Sequence, residues 1–248
     1  MTRFIGVMST KGGVGKTTTA LNLAASMSSF NPRVILIEGN LFTPHIGLYL
    51  GLIKNINSIN KVLTNKNSLL DVVYEHNSGL KLILGDVSVS LNTNPKDFVR
   101  LIRNLNGLYD YVMIDSPAGL GNETLSIIEA VDKALIVVNP DILSCTEGLR
   151  LITLLESKGK EVLGIILNKV NKEKHEFSRE NTEALLGKKI ILEIPEDKIF
   201  KKTLSESKIL THSYPNHKIS EKYKELAALL VGKEYKSKWK SIADYFKN

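Results

Sequence analysis

The sequence of 248 residues contains a single cysteine, Cys145, and no Cys/His spacing typical of a zinc site. One cysteine excludes a disulfide within the chain, and it argues against a cysteine-ligated iron–sulfur cluster. No apolar run approaches the roughly 20 residues of a membrane-spanning helix. Met1-Thr2-Arg3 leads directly into an apolar run, without the pattern of a signal peptide. We therefore expect a cytoplasmic protein.

Internal repeats and low-complexity linkers are also absent, and the composition is 43% hydrophobic and 24% charged. This length and composition suit one α/β domain with a core on both faces of a sheet. The 33 Lys and Arg against 26 Asp and Glu leave a net charge of +7. This excess is compatible with binding to nucleic acid or anionic lipid but requires neither.

Apolar runs alternate with stretches of helical periodicity, which predicts βαβ units, a mostly parallel sheet and helices on both of its faces. The predicted strands are 4–8, 34–37, 81–84, 111–114, 134–138, 163–167 and 190–193. The predicted helices are 16–29, 69–74, 95–104, 122–131, 144–157, 175–186, 197–203, and a last one from 220 to near the C-terminus. We assign residues 1–232 to one domain and 233–248 to a C-terminal tail.

A glycine-rich segment, Lys-Gly-Gly-Val-Gly-Lys-Thr-Thr at 11–18, lies between the first predicted strand and helix. Residues without a Cβ let backbone N–H groups approach phosphates closely, and the helix start adds positive potential. Lys16 is placed to reach the β- and γ-phosphates, and the Thr17 hydroxyl to hold Mg²⁺. The residues predicted to bind nucleotide here are Lys11, Gly12, Gly13, Val14, Gly15, Lys16, Thr17 and Thr18.

The same segment has Thr10 where the strict Walker A pattern has glycine, and it carries a second lysine, Lys11. In this it resembles the deviant Walker A ATPases of the MinD/ParA family. The resemblance implies a P-loop NTPase fold, ATP or ADP with Mg²⁺ as ligands, and a homodimer formed when ATP is bound. It also implies that Lys11 reaches the partner's phosphates, where a cation stabilises the charge that develops during phosphoryl transfer.

A second segment, Tyr-Val-Met-Ile-Asp-Ser-Pro-Ala-Gly-Leu from Tyr111, ends a predicted strand in Asp115. Ligands of open α/β sheets collect at the carboxyl ends of the strands, where a carboxylate can hold Mg²⁺ through water. Its residue pattern resembles the Walker B and switch II segment of the same family. Asp115 is therefore predicted to be a catalytic and metal-binding residue.

Two later strand ends resemble the base-binding segments of the family. Asn168 ends one strand, and an asparagine amide offers both the donor and the acceptor that an adenine edge requires. Pro195, Glu196 and Asp197 follow the next strand. The resemblance implies that Asn168 contacts adenine and that the segment around Pro195 forms a wall beside the base.

The second predicted strand departs from the family pattern of two aspartates, because Glu38 and Asn40 occupy those two positions. Glu38 keeps the charge and is predicted to contribute to the Mg²⁺ site. Asn40 is the predicted water-positioning residue of switch I, but it carries no charge and cannot accept a proton. We therefore expect slow hydrolysis and a long-lived ATP-bound state; the alternative is turnover typical of the family.

The tail from Lys233 has Tyr235, Trp239, Ile242 and Phe246 spaced along one helical face. Its five lysines against Glu234 and Asp244 give 5 − 2 = +3. A basic helix with an aromatic face can bind an anionic membrane, and a dimer doubles such an anchor. The alternatives are that the aromatic residues dock on the core or bind a partner protein.

Together these features favour a MinD-like ATPase that positions a division or surface-machinery component. It would be cytoplasmic and peripheral at the inner face of the cell membrane. Two alternatives stay open. One is a ParA-like ATPase that binds DNA and partitions a cargo, and the other is a non-catalytic scaffold gated by nucleotide.

Overall fold

The computed structural model describes residues 1–52, 57–65, 68–86, 95–171 and 173–236. Within them an eight-stranded sheet has the order β3-β4-β2-β5-β1-β6-β7-β8. All neighbouring strands are parallel except β3 and β4. The strands are β1 (Arg3–Met8), β2 (Val34–Glu38), β3 (Val73–Glu75), β4 (Lys81–Ile83), β5 (Tyr111–Asp115), β6 (Lys133–Val138), β7 (Glu161–Val170) and β8 (Ile190–Pro195). The predicted mostly parallel α/β fold is confirmed.

Helices cover both faces of this sheet. They are α1 (Lys16–Ser28), α2 (Ile46–Tyr49), α3 (Ile59–Asn65), α4 (Pro95–Arg103), α5 (Asn122–Ala130), α6 (Ile142–Ser157), α7 (Arg179–Leu186), α8 (Ile199–Ser205), α9 (Leu210–Ser213) and α10 (Lys218–Val231). Within the described parts of the chain, no helix is long and apolar enough to cross a membrane.

The apolar core lies in two layers, one on each face of the sheet. Successive residues of β5 point to opposite layers, so Met113 packs with Leu36 and α1 on one face while Ile114 packs with Ile37 on the other. All five residues of β2 and of β5 are buried. This burial explains why these strands are nearly continuous apolar runs without polar alternation.

The register of the central strands brings their polar ends together. Asp115 of β5 lies opposite both Val7 of β1 and Glu38 of β2. Since parallel strands end at a common edge, the loop after β1 and the residues that follow β2 and β5 meet there. This edge is the region in which the sequence predicts a nucleotide site.

Several predicted elements differ from the structure in type or length. The predicted helix 69–74 is a short 3-10 helix, Leu69–Val72, followed by β3, because Val73 and Tyr74 pair with β4. The predicted helix 175–186 begins only at Arg179, where the Ser178 side chain accepts a hydrogen bond from the Asn181 N–H. The short elements α2, α3, α9 and β3 were not predicted.

The prediction of a last helix that continues to near the C-terminus is wrong, because α10 ends at Val231. Gly232 follows in the left-handed conformation with φ of 68°, a common way for a helix to end. Residues 233–236 are not helical, and Tyr235 packs edge-on against Phe30 and donates a hydrogen bond to Glu221. Trp239, Ile242 and Phe246 lie outside the described residues, and the boundary at residue 232 stays a prediction.

Candidate nucleotide-binding site

A cavity of about 780 Å³ opens at the carboxyl edge of the sheet. Its lining combines the loop after β1 with the segments that follow β2, β5, β7 and β8. Of the predicted site residues, those that line it are Gly12, Gly13, Gly15, Lys16, Thr17, Thr18, Asn40, Asn168, Pro195, Glu196 and Asp197. Lys11, Val14, Glu38 and Asp115 are not part of the lining, although each contacts or adjoins a residue that is.

The phosphate loop adopts a conformation that requires glycine at one decisive point. Gly15 has φ of 101° and directly precedes α1. A Cβ on Gly15 would lie 2.2 Å from Nδ2 of Asn168, so both the backbone angle and the lack of space exclude a side chain. The loop thus reaches the start of α1, where the N–H groups of a helix are suited to bind an anion.

Lys16 occupies the phosphate position of this loop. It is 8% exposed, and its Nζ donates to the backbone oxygen of Lys11 at 3.3 Å. Burial lowers the pKa of its ammonium group, and the negative charge of Asp115 partly offsets this effect. A buried cation at a helix start is suited to bind phosphate oxygens.

Thr17 and Asp115 form the candidate Mg²⁺ site. Thr17 Oγ1 donates to Asp115 Oδ2 at 2.6 Å, while Asp115 Oδ1 is buried and has no hydrogen-bond partner among the described residues. Burial raises the pKa of Asp115 to about 7, with Thr17 and Lys16 acting in the opposite direction. An unsatisfied buried oxygen beside a threonine hydroxyl fits Mg²⁺, which takes few protein ligands and keeps several waters. No cluster of three or more His, Cys, Asp or Glu that could hold a metal occurs in the described ranges.

Glu38 is fully buried, and its carboxylate organises the segment that follows β2. Its Oε1 accepts the N–H of Asn40 at 3.1 Å, and its Oε2 accepts those of His45 and Ile46 at 2.7 and 2.9 Å. Burial and the neighbouring Asp115 raise its pKa to about 8. The predicted metal role of Glu38 stays a prediction, and its holding of this segment could not be foreseen from sequence.

Asn40 lines the cavity, but its amide oxygen is already used inside the chain. Oδ1 accepts hydrogen bonds from both the backbone N–H and the hydroxyl of Thr43, each at 3.0 Å. The side chain therefore closes a turn, as asparagine commonly does in loops. Its role toward an attacking water stays a prediction.

The contact of Lys11 was not predicted. Its ammonium lies 3.0 Å from both carboxylate oxygens of Asp141, and Asp141 Oδ1 also accepts the Ser144 N–H at the start of α6. Asp141 is recognisable in the sequence as a helix-start residue, but no sequence signal indicates its pairing with Lys11, which lies 130 positions earlier.

The end of β7 supports the phosphate loop from beneath. Asn168 Nδ2 donates to the backbone oxygen of Val14 at 2.7 Å, and Lys169 Nζ donates to that of Gly13 at 2.8 Å. The support by Lys169 was not predicted. Pro195 and the two acidic residues after it line the cavity from β8. The adenine contacts of Asn168 and Pro195 stay predictions.

The strand–loop–helix geometry, the lysine in the phosphate loop and the threonine beside a strand-end aspartate define a P-loop NTPase. A family model described as ParA, NUBPL iron-transfer P-loop NTPase matches residues 1–231. The chain belongs to this ParA family of P-loop NTPases. The one cysteine of this chain, Cys145, is buried.

Similar proteins support this assignment. The chain is 30% identical to an uncharacterized ATP-binding protein of Methanocaldococcus jannaschii, covering 98% of this chain and 92% of the relative. It is 28% identical to the septum site-determining protein MinD of Thermotoga maritima, with 94% and 89% covered. Identity to the flagellum site-determining protein YlxH of Helicobacter pylori is 30%, with 94% and 83% covered.

Solved structures agree with these sequence relatives. MinD of Pyrococcus horikoshii complexed with Mg-ADP has a TM-score of 0.87 and 27% identity, with 93% of this chain and 96% of that chain covered. The MinC:MinD cell division complex of Aquifex aeolicus gives a TM-score of 0.84 and 27% identity, with 96% and 99% covered. The predicted resemblance to MinD/ParA ATPases is confirmed.

Proposed function

We propose that this protein is an ATPase of the MinD kind that dimerises when it binds ATP·Mg²⁺, with Lys11 acting on the partner's nucleotide. The direction of two lysines carries the proposal. Lys16 lines the protein's own phosphate cavity, whereas the ammonium of Lys11 points away to Asp141 at the start of α6. Lys11 is thus a cation beside the phosphate loop whose ammonium is held by Asp141 and does not line the cavity.

The pair of Lys11 and Asp141 is weak enough to be replaced. Their side chains are 36% and 40% exposed, and exposed ion pairs contribute about 0 to 1 kcal/mol. A triphosphate of a second subunit offers more negative charge and more acceptor oxygens than one carboxylate. Transfer of Lys11 from Asp141 to the partner's phosphates is therefore favourable once the dimer forms.

The residues of one chain divide the work at the phosphates. Bound ATP·Mg²⁺ supplies the reactive phosphoryl group and neutralises part of its charge. Lys16 and the start of α1 bind the phosphates, and Thr17 and Asp115 would hold the Mg²⁺ ion. Asn40 carries no charge and takes no proton from an attacking water, so hydrolysis is slow and the dimer is long-lived.

Light scattering after size exclusion, with phosphate release followed in the same samples, tests this proposal. We expect a dimer with ATP·Mg²⁺, a monomer with ADP, and no dimer for Lys11→Ala. Lys133→Ala is the matched control, because Lys133 pairs with Glu161, is 34% exposed and lies at the opposite edge of the sheet. A monomer under all conditions would refute the dimer, and dimerisation of Lys11→Ala would refute the role of Lys11.

The tail and the relatives support a proposal for the cellular role. The basic aromatic tail carries the dimer to an anionic membrane at the inner face of the cell membrane, where it positions a division or surface-machinery component. The named relatives MinD and YlxH are site-determining proteins, which supports this role.

Sedimentation with anionic vesicles should require ATP·Mg²⁺ and be lost when residues 237–248 are deleted. Equal sedimentation of the deleted protein would refute it.

A ParA-like role on DNA is the second candidate, and the net charge of +7 is compatible with it. DNA binding would fall steeply and linearly in a plot of log affinity against log salt, and it would survive the tail deletion. A third outcome, an ATP-bound dimer with negligible phosphate release, would identify a nucleotide-gated scaffold instead of an ATPase.

A further inference from the structure

Two adjacent threonines at the start of α1 contact different parts of the site. Thr17 donates to Asp115. The hydroxyl of Thr18 instead lies 2.6 Å from the hydroxyl of Tyr49, the last residue of α2. Both Thr18 and Tyr49 line the nucleotide cavity. The phosphate loop is therefore joined by a hydrogen bond to the helix that follows residues 39–45, here called the switch I segment.

The helix α2 is attached at its other end as well. Glu38 accepts the N–H groups of His45 and Ile46, where α2 begins. Tyr49 packs against the core layer that contains α1, and its hydroxyl is the group that reaches Thr18. The position of α2 thus depends on β2 at its start and on the phosphate loop at its end. The switch I segment lies between β2 and α2.

We propose that Tyr49 is a positioning residue that couples occupancy of the nucleotide site at Thr18 to the switch I segment. A hydroxyl has one donor and two acceptor positions, and without nucleotide the bond between Thr18 and Tyr49 can run in either direction. A phosphate oxygen accepts but cannot donate, so Thr18 must donate to it. Tyr49 must then donate to Thr18, and nucleotide selects one direction of the bond.

This selection strengthens both bonds, because each member of a donor chain polarises the next. Nucleotide consequently holds Tyr49, and with it α2, more firmly in place. The inference rests on the proposed binding of phosphate beside Thr18. Tyr49 acts on the phosphate only through Thr18, which distinguishes it from the phosphate-binding residues.

Nucleotide affinity in a double-mutant cycle tests the coupling. Tyr49→Phe removes only the hydroxyl, and loss of one hydrogen bond predicts about 3- to 10-fold weaker binding of ADP and ATP. Thr18→Val should weaken binding further, and adding Tyr49→Phe to it should change nothing more. Tyr74→Phe is the control, since Tyr74 lies on β3 and not in the cavity lining. A wild-type affinity in Tyr49→Phe, or the same loss in the Thr18→Val background, would overturn the inference.

Hydrogen exchange of peptides covering residues 39–50 supplies a second readout. Nucleotide-free Tyr49→Phe should exchange faster there than wild type, and saturating ADP should protect it less. Faster exchange with unchanged nucleotide affinity would show a merely structural bond and refute the coupling. A wild type that binds neither nucleotide refutes the proposed function as well, whereas a binding wild type with an unaffected Tyr49→Phe refutes this inference alone.

Discussion

Asn168 fills the space beneath Gly15, and the two residues fit together only because one of them has no side chain. The amide nitrogen of Asn168 donates to the carbonyl of Val14 at 2.7 Å and lies where a Cβ on Gly15 would meet it at 2.2 Å. The end of β7 thereby fixes the position of the phosphate loop relative to the sheet. The loop's shape is a property of the tertiary structure as well as of its glycines.

Replacing Gly15 by alanine should abolish this fit. An alanine would have to keep the backbone φ of 101°, and such strain costs about 1 to 3 kcal/mol. Its Cβ would also displace the amide of Asn168. We expect Gly15→Ala to lower nucleotide affinity at least about tenfold, measured by titration calorimetry. Gly107→Ala is the matched control, because Gly107 also has a positive φ, of 85°, yet no described residue lies within 4 Å of its Cβ position and it is outside the cavity lining. Equal affinities of the two variants would contradict this explanation.

Removing the charge of Asp141 should favour the dimer. Asp141→Asn keeps an oxygen for the Ser144 N–H at the start of α6, so the helix should be unaffected. It removes the ion pair that holds Lys11, whose contribution is about 0.2 to 1 kcal/mol. We expect ATP-dependent dimerisation to tighten up to about fivefold in light-scattering titrations. Weaker dimerisation would mean that Asp141 is needed in the dimer itself.

Restoring a carboxylate at position 40 should accelerate hydrolysis. Asn40→Asp keeps the oxygen that accepts from Thr43 and adds a group that can take a proton. We expect phosphate release at least about tenfold faster, since a positioned base contributes a factor of 10² or more. Asn181→Asp, at an exposed position of α7, is the control for the added charge. Unchanged turnover in Asn40→Asp would show that Asn40 does not limit hydrolysis.

The only tryptophan, Trp239, lies in the tail and reports its environment directly. We expect its fluorescence to shift to shorter wavelength when anionic vesicles and ATP·Mg²⁺ are both present, because the ring then enters the membrane interface. Vesicles of zwitterionic lipid and samples with ADP are the controls. A spectrum that never changes with vesicles would argue for a docked tail or a protein partner.

Tyr235 shows where a sequence pattern was insufficient for the tail. Its spacing from Trp239 predicts one helical face, yet it packs on Phe30 and bonds to Glu221 outside any helix. Gly232 ends α10 because it adopts the left-handed conformation at little cost. A periodic pattern could not show that an aromatic residue would turn back to the core.

The sequence by itself determined the alternation of strands and helices, the phosphate loop of residues 11–18 and the position of Asp115 at a strand end. These features are local: glycine spacing, helical period and a polar residue after an apolar run act within a few residues of chain. The family resemblance added the adenine-side residues and the role of Lys11, which no local pattern specifies.

Only the tertiary structure decided which distant residues meet these local motifs. Lys11 pairs with Asp141 across 130 positions, and Asn168 supports Val14 across 154. Tyr49 reaches Thr18, and Glu38 binds the start of α2. Such contacts depend on strand order and on how helices cross over the sheet, and a periodic pattern carries no information about either. The local sequence therefore specifies the chemistry of the phosphate loop, while the contacts that couple the loop to the rest of the molecule arise from the fold.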